Sequence, residues 1–279
     1  MKVIQKAGIA YIRLKFKVLT LLSKKKAAEQ AFVLFCTPFA HYKRKVEPDS
    51  AEKLTFLVNN TTIKGHRWNS PQPKKALILH GFSSAAHKFD SYVALLINKG
   101  YEVLAFDAPA HGDSDGKMTN AMEYMDLIKK AVELYGPIDC FIAHSFGGIG
   151  LGLAMETMPH NASTKIVFIA PATETTSAID GAFQLLKIKD PKVRQLFNDI
   201  VLEKGGQYPE WFSIRRAAHQ IKADILWIHD EDDDITPVKD ALQVKADNHP
   251  NIQFLITKKL GHRKIYHDAA VKKAIENFV

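Results

Sequence analysis

The stretch DCFIAHSFGGIG, residues 139–150, decides the fold. Cys140 to Ala143 is a short apolar run of the kind that forms a buried strand, and Gly147-Gly148 opens a helical pattern. Ser145 stands at the corner between them. A serine on so sharp a strand-to-helix turn is pushed out of the sheet, with its hydroxyl at the strands' C-terminal edge. The turn needs small residues two positions to either side, because strand and helix backbones pass close there. Ala143 and Gly147 fill those positions, giving A-x-S-x-G, one glycine short of the usual G-x-S-x-G. The same short pattern also arises in ordinary strand–helix loops, so its weight rests on its surroundings.

Those surroundings alternate strands with helices. KLTFLV (53–58) and TIKGHRWNS (62–70) read as a β-hairpin. ALILHGF (76–82), YEVLAF (101–106), KIVFIAPA (165–172), DILWIHDEDD (224–233) and NIQFLITKKLGH (251–262) read as further strands with the loops that end them. Ala85–Lys99, Thr119–Tyr135, Pro237–Ala246 and Ile265–Phe278 supply helices. Continuously apolar strands alternating with helices predict an α/β fold, a mostly parallel sheet covered on both faces. Ligands of such sheets bind at the strands' carboxyl ends, where each chemically interesting stretch of this chain lies. About fifty residues between Ala172 and Asp224 break the alternation with helical pieces rich in aromatic and aliphatic side chains. That is too long for a simple connection and is expected to be a small helical lid. The expected layout is an N-terminal arm over 1–50, a core over 51–174 and 223–279, and the lid over 175–222.

At 279 residues the chain can bury a large core. Its two cysteines, Cys36 and Cys140, lie far apart in apolar surroundings, which argues for buried thiols in a reducing, cytoplasmic setting. The net charge of +8 is uneven: residues 1–46 hold eleven Lys/Arg against Glu29 alone, and the remainder sums to −2. The body carries no zinc-finger spacing or RNP-type motif, so nucleic acid is not an expected partner. The arm over 1–26 has helical periodicity, with Lys2, Lys6, Arg13, Lys17 and Lys24 in one sector. Ile4, Ala7, Tyr11, Leu14, Val18, Leu21 and Leu22 form an apolar side that Lys15 interrupts. Charges at 13, 15 and 17 exclude a spanning helix, leaving packing on the domain or peripheral membrane contact.

A serine hydroxyl needs a base, an orienting acid and a home for the oxyanion. The base should follow the last strand, where Gly261-His262 offers His262, with Gly261 expected to allow a tight loop that a side chain would obstruct. The acid should follow the strand before it. Counting back from Pro237, Asp233 falls where that loop turns toward His262, with Asp232, Asp234 and the remoter Glu174 as alternatives. Two backbone N–H groups suffice for the oxyanion: Phe146, after the serine, and one from HGFSS, taken as Phe82. His144 is read as a packing residue, and His111 and Asp107 as turn chemistry. A cation site is not expected in the acidic run, which lacks D-x-D-x-D-G loop spacing.

His80-Gly81-Phe82, AHSFGG with Ser145, HDEDDDITP with Asp233 and LGH with His262, in that order, resemble the α/β-hydrolase superfamily over roughly residues 53–279. DAPAHGDS is similar to that family's loop after its fourth strand. The resemblance implies an acyl-enzyme formed on serine and released by water, with no metal or organic cofactor. The expected substrate is a small-molecule ester, and the aromatic and aliphatic residues of the insertion point to an apolar acyl group. Thioester or C–C bond hydrolysis, or a non-catalytic binding role in the same fold, are the alternatives. Serine argues against the family's haloalkane dehalogenases, and HGFS against its HGGG lipases. Ala143, and Asp230 where glycine is common, are this chain's departures from the pattern.

Overall fold

The apolar strands assemble into an eight-stranded sheet in a computed structural model that describes residues 3–48 and 50–279, with side chains from Gly8 onward. Of the arm residues read from the sequence, Lys2 lies outside the described residues, as do the side chains of Ile4, Lys6 and Ala7. Strands β1 (Ala51–Val58) and β2 (Thr61–Trp68) form an antiparallel hairpin at one edge. Then come β3 (Lys74–Leu79), β4 (Tyr101–Phe106), β5 (Cys140–His144), β6 (Lys165–Ile169), β7 (Asp224–Asp230) and β8 (Ile252–Thr257). The spatial order is β1-β2-β4-β3-β5-β6-β7-β8, parallel from β4 onward, with β2 antiparallel to β4. β5 is therefore central, flanked by β3 and β6.

The helices are α1 (Val3–Leu22), α2 (Lys24–Cys36), α3 (Asp90–Asn98), α4 (Ala121–Tyr135), α5 (Phe146–Met155) and α6 (Thr175–Leu186). They continue with α7 (Pro191–Gly205), α8 (Ile214–Ala218), α9 (Val238–Ala246), α10 (Gly261–Lys264) and α11 (Ala269–Phe278). Several expected boundaries shift for local reasons. Ala85–Lys99 divides into a 3-10 turn at Ala86–Phe89 and α3. The expected terminal helix breaks at Asp268, whose carboxylate caps α11 by accepting from the Ala270 and Val271 N–H groups. β7 stops at Asp230, so the rest of the acidic run is loop.

The chain divides into two units. The larger, Pro38–Glu174 with Ser213–Val279, contains the sheet. Its strand interiors are sealed: Leu77, Ile78, Leu79, Ile142, Val167 and Ile228 have no solvent exposure. Each such side chain is worth about 1.5–3 kcal/mol of burial. The 3-10 turn with α3, and α11, cover one face with Phe89, Tyr92, Leu96, Val271 and Ile275.

The smaller unit joins the arm, up to Thr37, with Thr175–Phe212. Thus the arm's helices and those of the insertion share one core, while residues 38–50 and 213–222 group with the sheet. Ala27, Ala28 and Ala31 of α2 are small enough for close approach to α7. The Phe197 ring lies 5.9 Å from that of Phe32, 5.8 Å from Phe35 and 5.3 Å from Phe183. Asp190 caps α7, followed by Pro191 in its first turn, and pairs with Lys24 at 2.9 Å.

Helix α1 contributes to this core through Phe16, with Ile12 and Leu19 half-buried beside it. These are not the residues of the apolar side read from the sequence. Tyr11, Leu14, Val18, Leu21 and Leu22 are exposed instead. The helix has two apolar faces, and its periodicity alone did not tell which one would be buried. Among the described residues, no helix is long and apolar enough to cross a membrane.

Candidate active site

All the expected site residues lie in the larger unit, at the carboxyl ends of β3, β5, β7 and β8. Ser145 joins β5 to α5 with φ 52° and ψ −116°, a conformation a side chain rarely adopts. The surroundings hold it there: its N–H donates to Ile169 O at 3.1 Å, and its carbonyl accepts from Gly148 and Ala172. A Cβ on Gly147 would lie 2.7 Å from the Leu79 carbonyl oxygen and 2.8 Å from that of His80. This is the close strand–helix passage that requires a glycine after the serine. Ala143, two residues before, is fully buried within β5 without strain.

The loops after β7 and β8 converge on this corner. The Ser145 hydroxyl donates to His262 Nε2 at 2.9 Å, and His262 Nδ1–H donates to Asp233 Oδ2 at 2.8 Å. All three residues are buried, with 7–8% residual exposure. Burial pushes the Asp233 carboxyl up, but the hydrogen bond and charge of His262 and the Ile235 and Thr236 N–H groups outweigh it. The carboxyl stays below its ordinary value. Two of the alternative acids are engaged elsewhere. Asp232 accepts from the Lys259 N–H, and Glu174 accepts from the Ser213 hydroxyl at 2.8 Å.

Gly261 precedes His262 at φ +58°, the left-handed region that favours glycine. The expectation that a side chain would obstruct the loop is not met. An added Cβ would touch only the Asp232 carbonyl oxygen, at an ordinary 3.5 Å. Conformation, not space, asks for glycine here.

Phe146 is the first residue of α5, so its N–H has no acceptor within the helix. Phe82 follows β3, and its ring meets the Phe146 ring edge-on at 5.3 Å. Two buried histidines brace this loop. His80 Nε2 accepts from the Ala108 N–H while Nδ1–H donates to Gly81 O, and burial brings its pKa down to about 4. His111 Nε2 accepts from the Ser83 N–H while Nδ1–H donates to Pro109 O, and burial brings it to about 3. His111 is therefore more than a turn residue, because it fixes the amide next to Phe82. Asp107 accepts from the Asp113 N–H within its own turn. It also accepts from the Ala86 N–H in the segment after β3, so it too reaches beyond the turn.

His144 packs its ring 4.8 Å from that of His262 and its Nε2 lies 3.3 Å from the His262 carbonyl. It makes no hydrogen bond to the Ser145 hydroxyl among the described contacts, in keeping with a packing role. Burial lowers its pKa to about 3, so it stays neutral.

Three further residues went unrecognised in the sequence. The Thr236 hydroxyl lies 2.9 Å from Asp233 Oδ2, 3.1 Å from His262 Nδ1 and 3.2 Å from Ala170 O. The spacing of Asp233 and Thr236 carried a signal, since Asp233 Oδ1 accepts from both the Ile235 and Thr236 N–H groups in an Asx turn. His229, also fully buried, donates from Nε2 to Thr236 O. Asp230 binds four donors: the Asp232 and Gly261 N–H groups on Oδ1, and Leu260 N–H and the Thr257 hydroxyl on Oδ2. None of the last three partners is local in sequence.

At the opposite, amino-terminal ends of β7 and β8, His219, Asp247 and His249 bring possible metal-ligand atoms within 4.8 Å of one another. Both Asp247 oxygens are occupied by Arg215, at 2.6 and 2.7 Å.

Comparison with known proteins agrees with the architecture. The chain is 27% identical over 128 residues to polyneuridine aldehyde esterase of Rauvolfia serpentina, covering 44% of this chain and 48% of that protein. It is 26% identical over 116 residues to methylesterase 9 of Arabidopsis thaliana, covering 40% and 45%. The chain thus spans less than half the length of these curated relatives. Among solved structures, the Pyrococcus furiosus esterase Pf2001 superposes with a TM-score of 0.66 at 19% identity, over 87% of this chain and 97% of that one. Est1E from Butyrivibrio proteoclasticus, solved with ferulic acid, gives 0.63 at 17% over 81% and 97%. At these identities the likeness is one of fold. The model of the alpha/beta hydrolase family matches residues 76–271, a span that takes in the serine turn and the loops after β3, β7 and β8. The chain belongs to that family.

Proposed function

We propose that the protein is a serine hydrolase of carboxylic esters, with Ser145 as nucleophile, His262 as general base and acid, and Asp233 as the acid that orients it. The observation that carries this reading is the unbroken hydrogen-bond chain from Ser145 Oγ through His262 to Asp233, at 2.9 and 2.8 Å. In the proposed reaction His262 Nε2 takes the hydroxyl proton as Ser145 Oγ attacks the ester carbonyl carbon. The resulting oxyanion is received by the Phe82 and Phe146 N–H groups, and the α5 dipole favours negative charge there. The C–O bond to the alcohol breaks as His262 returns the proton to it. Water, deprotonated by His262, then attacks the acyl-enzyme and releases the carboxylic acid and the serine hydroxyl. The steps use only side chains and backbone amides of this chain.

An apolar acyl group is supported by the half-buried Phe82 and Phe146 rings beside Ser145, backed by Tyr124 at 5.3 Å from Phe146. The test is labelling with a fluorophosphonate, located by peptide mass spectrometry, beside a p-nitrophenyl ester series of increasing acyl length. Label on Ser145 is expected, lost in Ser145→Ala and His262→Ala. Ester turnover should drop by about three orders of magnitude or more in both. Folded wild-type protein that takes no label, or a label that persists in Ser145→Ala, would defeat the proposal. A thioester series run in parallel would reassign the substrate if thioesters were turned over and oxygen esters were not.

A further inference from the structure

Helix α1 uses one apolar face internally and leaves the other in solvent. Phe16 is 3% exposed in the core shared with α2, α6 and α7, whereas Tyr11 is 70%, Leu14 61%, Val18 48%, Leu21 81% and Leu22 78% exposed. Their spacing of i, i+3, i+7, i+10 and i+11 places them in one sector of roughly 100°. So many large apolar side chains along a single helical stripe are not the scattered exposure normal for a surface.

The borders of the stripe are basic. Lys15 lies on one edge and Lys17 on the other, both exposed, and α2 begins with Lys24, Lys25 and Lys26. Glu29 is the one acidic residue in residues 1–46. Arg13 is directed inward, donating to Leu185 O at 2.7 Å, and Lys24 pairs with Asp190. Among the described residues Lys17, Lys25 and Lys26 form no ion pair. A second copy of the chain on this face would bring two basic borders together. An anionic surface would meet them with opposite charge.

We propose that the Tyr11–Leu22 face of α1 docks the protein on anionic lipid bilayers. The helix lies in the plane of the interface, with Leu14, Val18, Leu21 and Leu22 at the acyl boundary and Lys15 and Lys17 extending to the phosphates. The opposite face stays packed in the protein, so docking requires no unfolding. The inference is independent of the esterase reading, because it uses no residue of the candidate active site.

The test is flotation of the full chain with vesicles of phosphatidylcholine alone or mixed with phosphatidylglycerol, at low and high salt. The wild type is expected to float with mixed vesicles, less so as salt rises, and weakly with phosphatidylcholine alone. Leu14→Glu with Leu21→Glu, and separately Lys15→Glu with Lys17→Glu, should each weaken binding by about tenfold or more. Because the substituted side chains are exposed, far-ultraviolet circular dichroism and turnover of a soluble ester should not change. Failure of the wild type to float with mixed vesicles would overturn the proposal. So would equal binding to both vesicle types, or undiminished binding by the leucine variant. A wild-type dimer in sedimentation velocity that the leucine variant abolishes, without vesicle binding, would assign the face to a second copy.

Discussion

The Asp230 carboxylate accepts the Gly261 N–H at 2.8 Å, fastening the loop after β7 to the residue before His262. The same carboxylate holds the Asp232 and Leu260 N–H groups and the Thr257 hydroxyl. Asp233 and His262 therefore meet on two loops that are joined beneath them, at the position where the sequence departs from the glycine common in the family.

Replacing Asp230 by Asn keeps the volume but turns amide hydrogens toward donors. Asp230→Asn is expected to cost about 1–3 kcal/mol in urea unfolding and to lower ester turnover. Burial pushes the Asp230 carboxyl up, but hydrogen bonds from Thr257, Gly261, Asp232 and Leu260 overcome this and hold it below its ordinary value. Its contribution is thus complete above about pH 4, the unfolded value, and is lost as pH falls through the lower folded one. The stability gap between wild type and variant should narrow in acid. A gap that does not change with pH would refute the charged role.

Asp233→Asn should lower kcat by about four orders of magnitude, since the amide cannot hold His262 in the required tautomer. Asp232→Asn and Glu174→Gln should stay within a few-fold of wild type, because neither carboxylate bonds to His262. Steady-state kinetics on one soluble ester distinguishes the three. A large loss in Glu174→Gln would move the orienting role to β6.

Two substitutions separate the requirements of the serine turn. Gly147→Ala drives a methyl into the Leu79 and His80 carbonyl oxygens, 2.7 and 2.8 Å away, and neither can yield without moving β3. It should cost about 1–3 kcal/mol or more and abolish labelling of Ser145. Ala143→Gly restores G-x-S-x-G at a cost of about 0.5–1 kcal/mol and should retain labelling.

Burial brings His80 to about 4, and His111 and His144 to about 3, so all three are neutral in the folded protein. The unfolded chain protonates them near pH 6.5, so it binds more protons than the folded one between about pH 6.5 and 4. Stability should fall as pH falls through that window, by up to about 1.4 kcal/mol per pH unit for each histidine. His111→Gln should lessen the slope of unfolding free energy against pH between about 6.5 and 4.5. An unchanged slope would show that His111 is not buried neutral.

Much of the architecture was legible because it is local. Continuous apolar runs report strands buried on both faces, and the small residues around Ser145 report a close backbone passage. The order of the four motifs along these strands was enough to bring Ser145 and His262 to one edge. The acidic run was less informative: Asp232, Asp233 and Asp234 are equivalent in composition, and only the path of the loop after β7 turns one of them to His262. Asp230 stood out only as a departure from the family pattern. Its role could not be read, since three of its four donors lie some thirty residues away at and beyond the end of β8. Periodicity likewise showed that α1 is a helix but did not tell which of its apolar faces would be buried. That choice depended on α2, α6 and α7, which supply the surface that Phe16 fills. Sequence pattern records what each segment needs locally. Which distant group satisfies that need was decided by the tertiary structure, because hydrogen bonds and packing between loops and helices act only once the chain has brought them together.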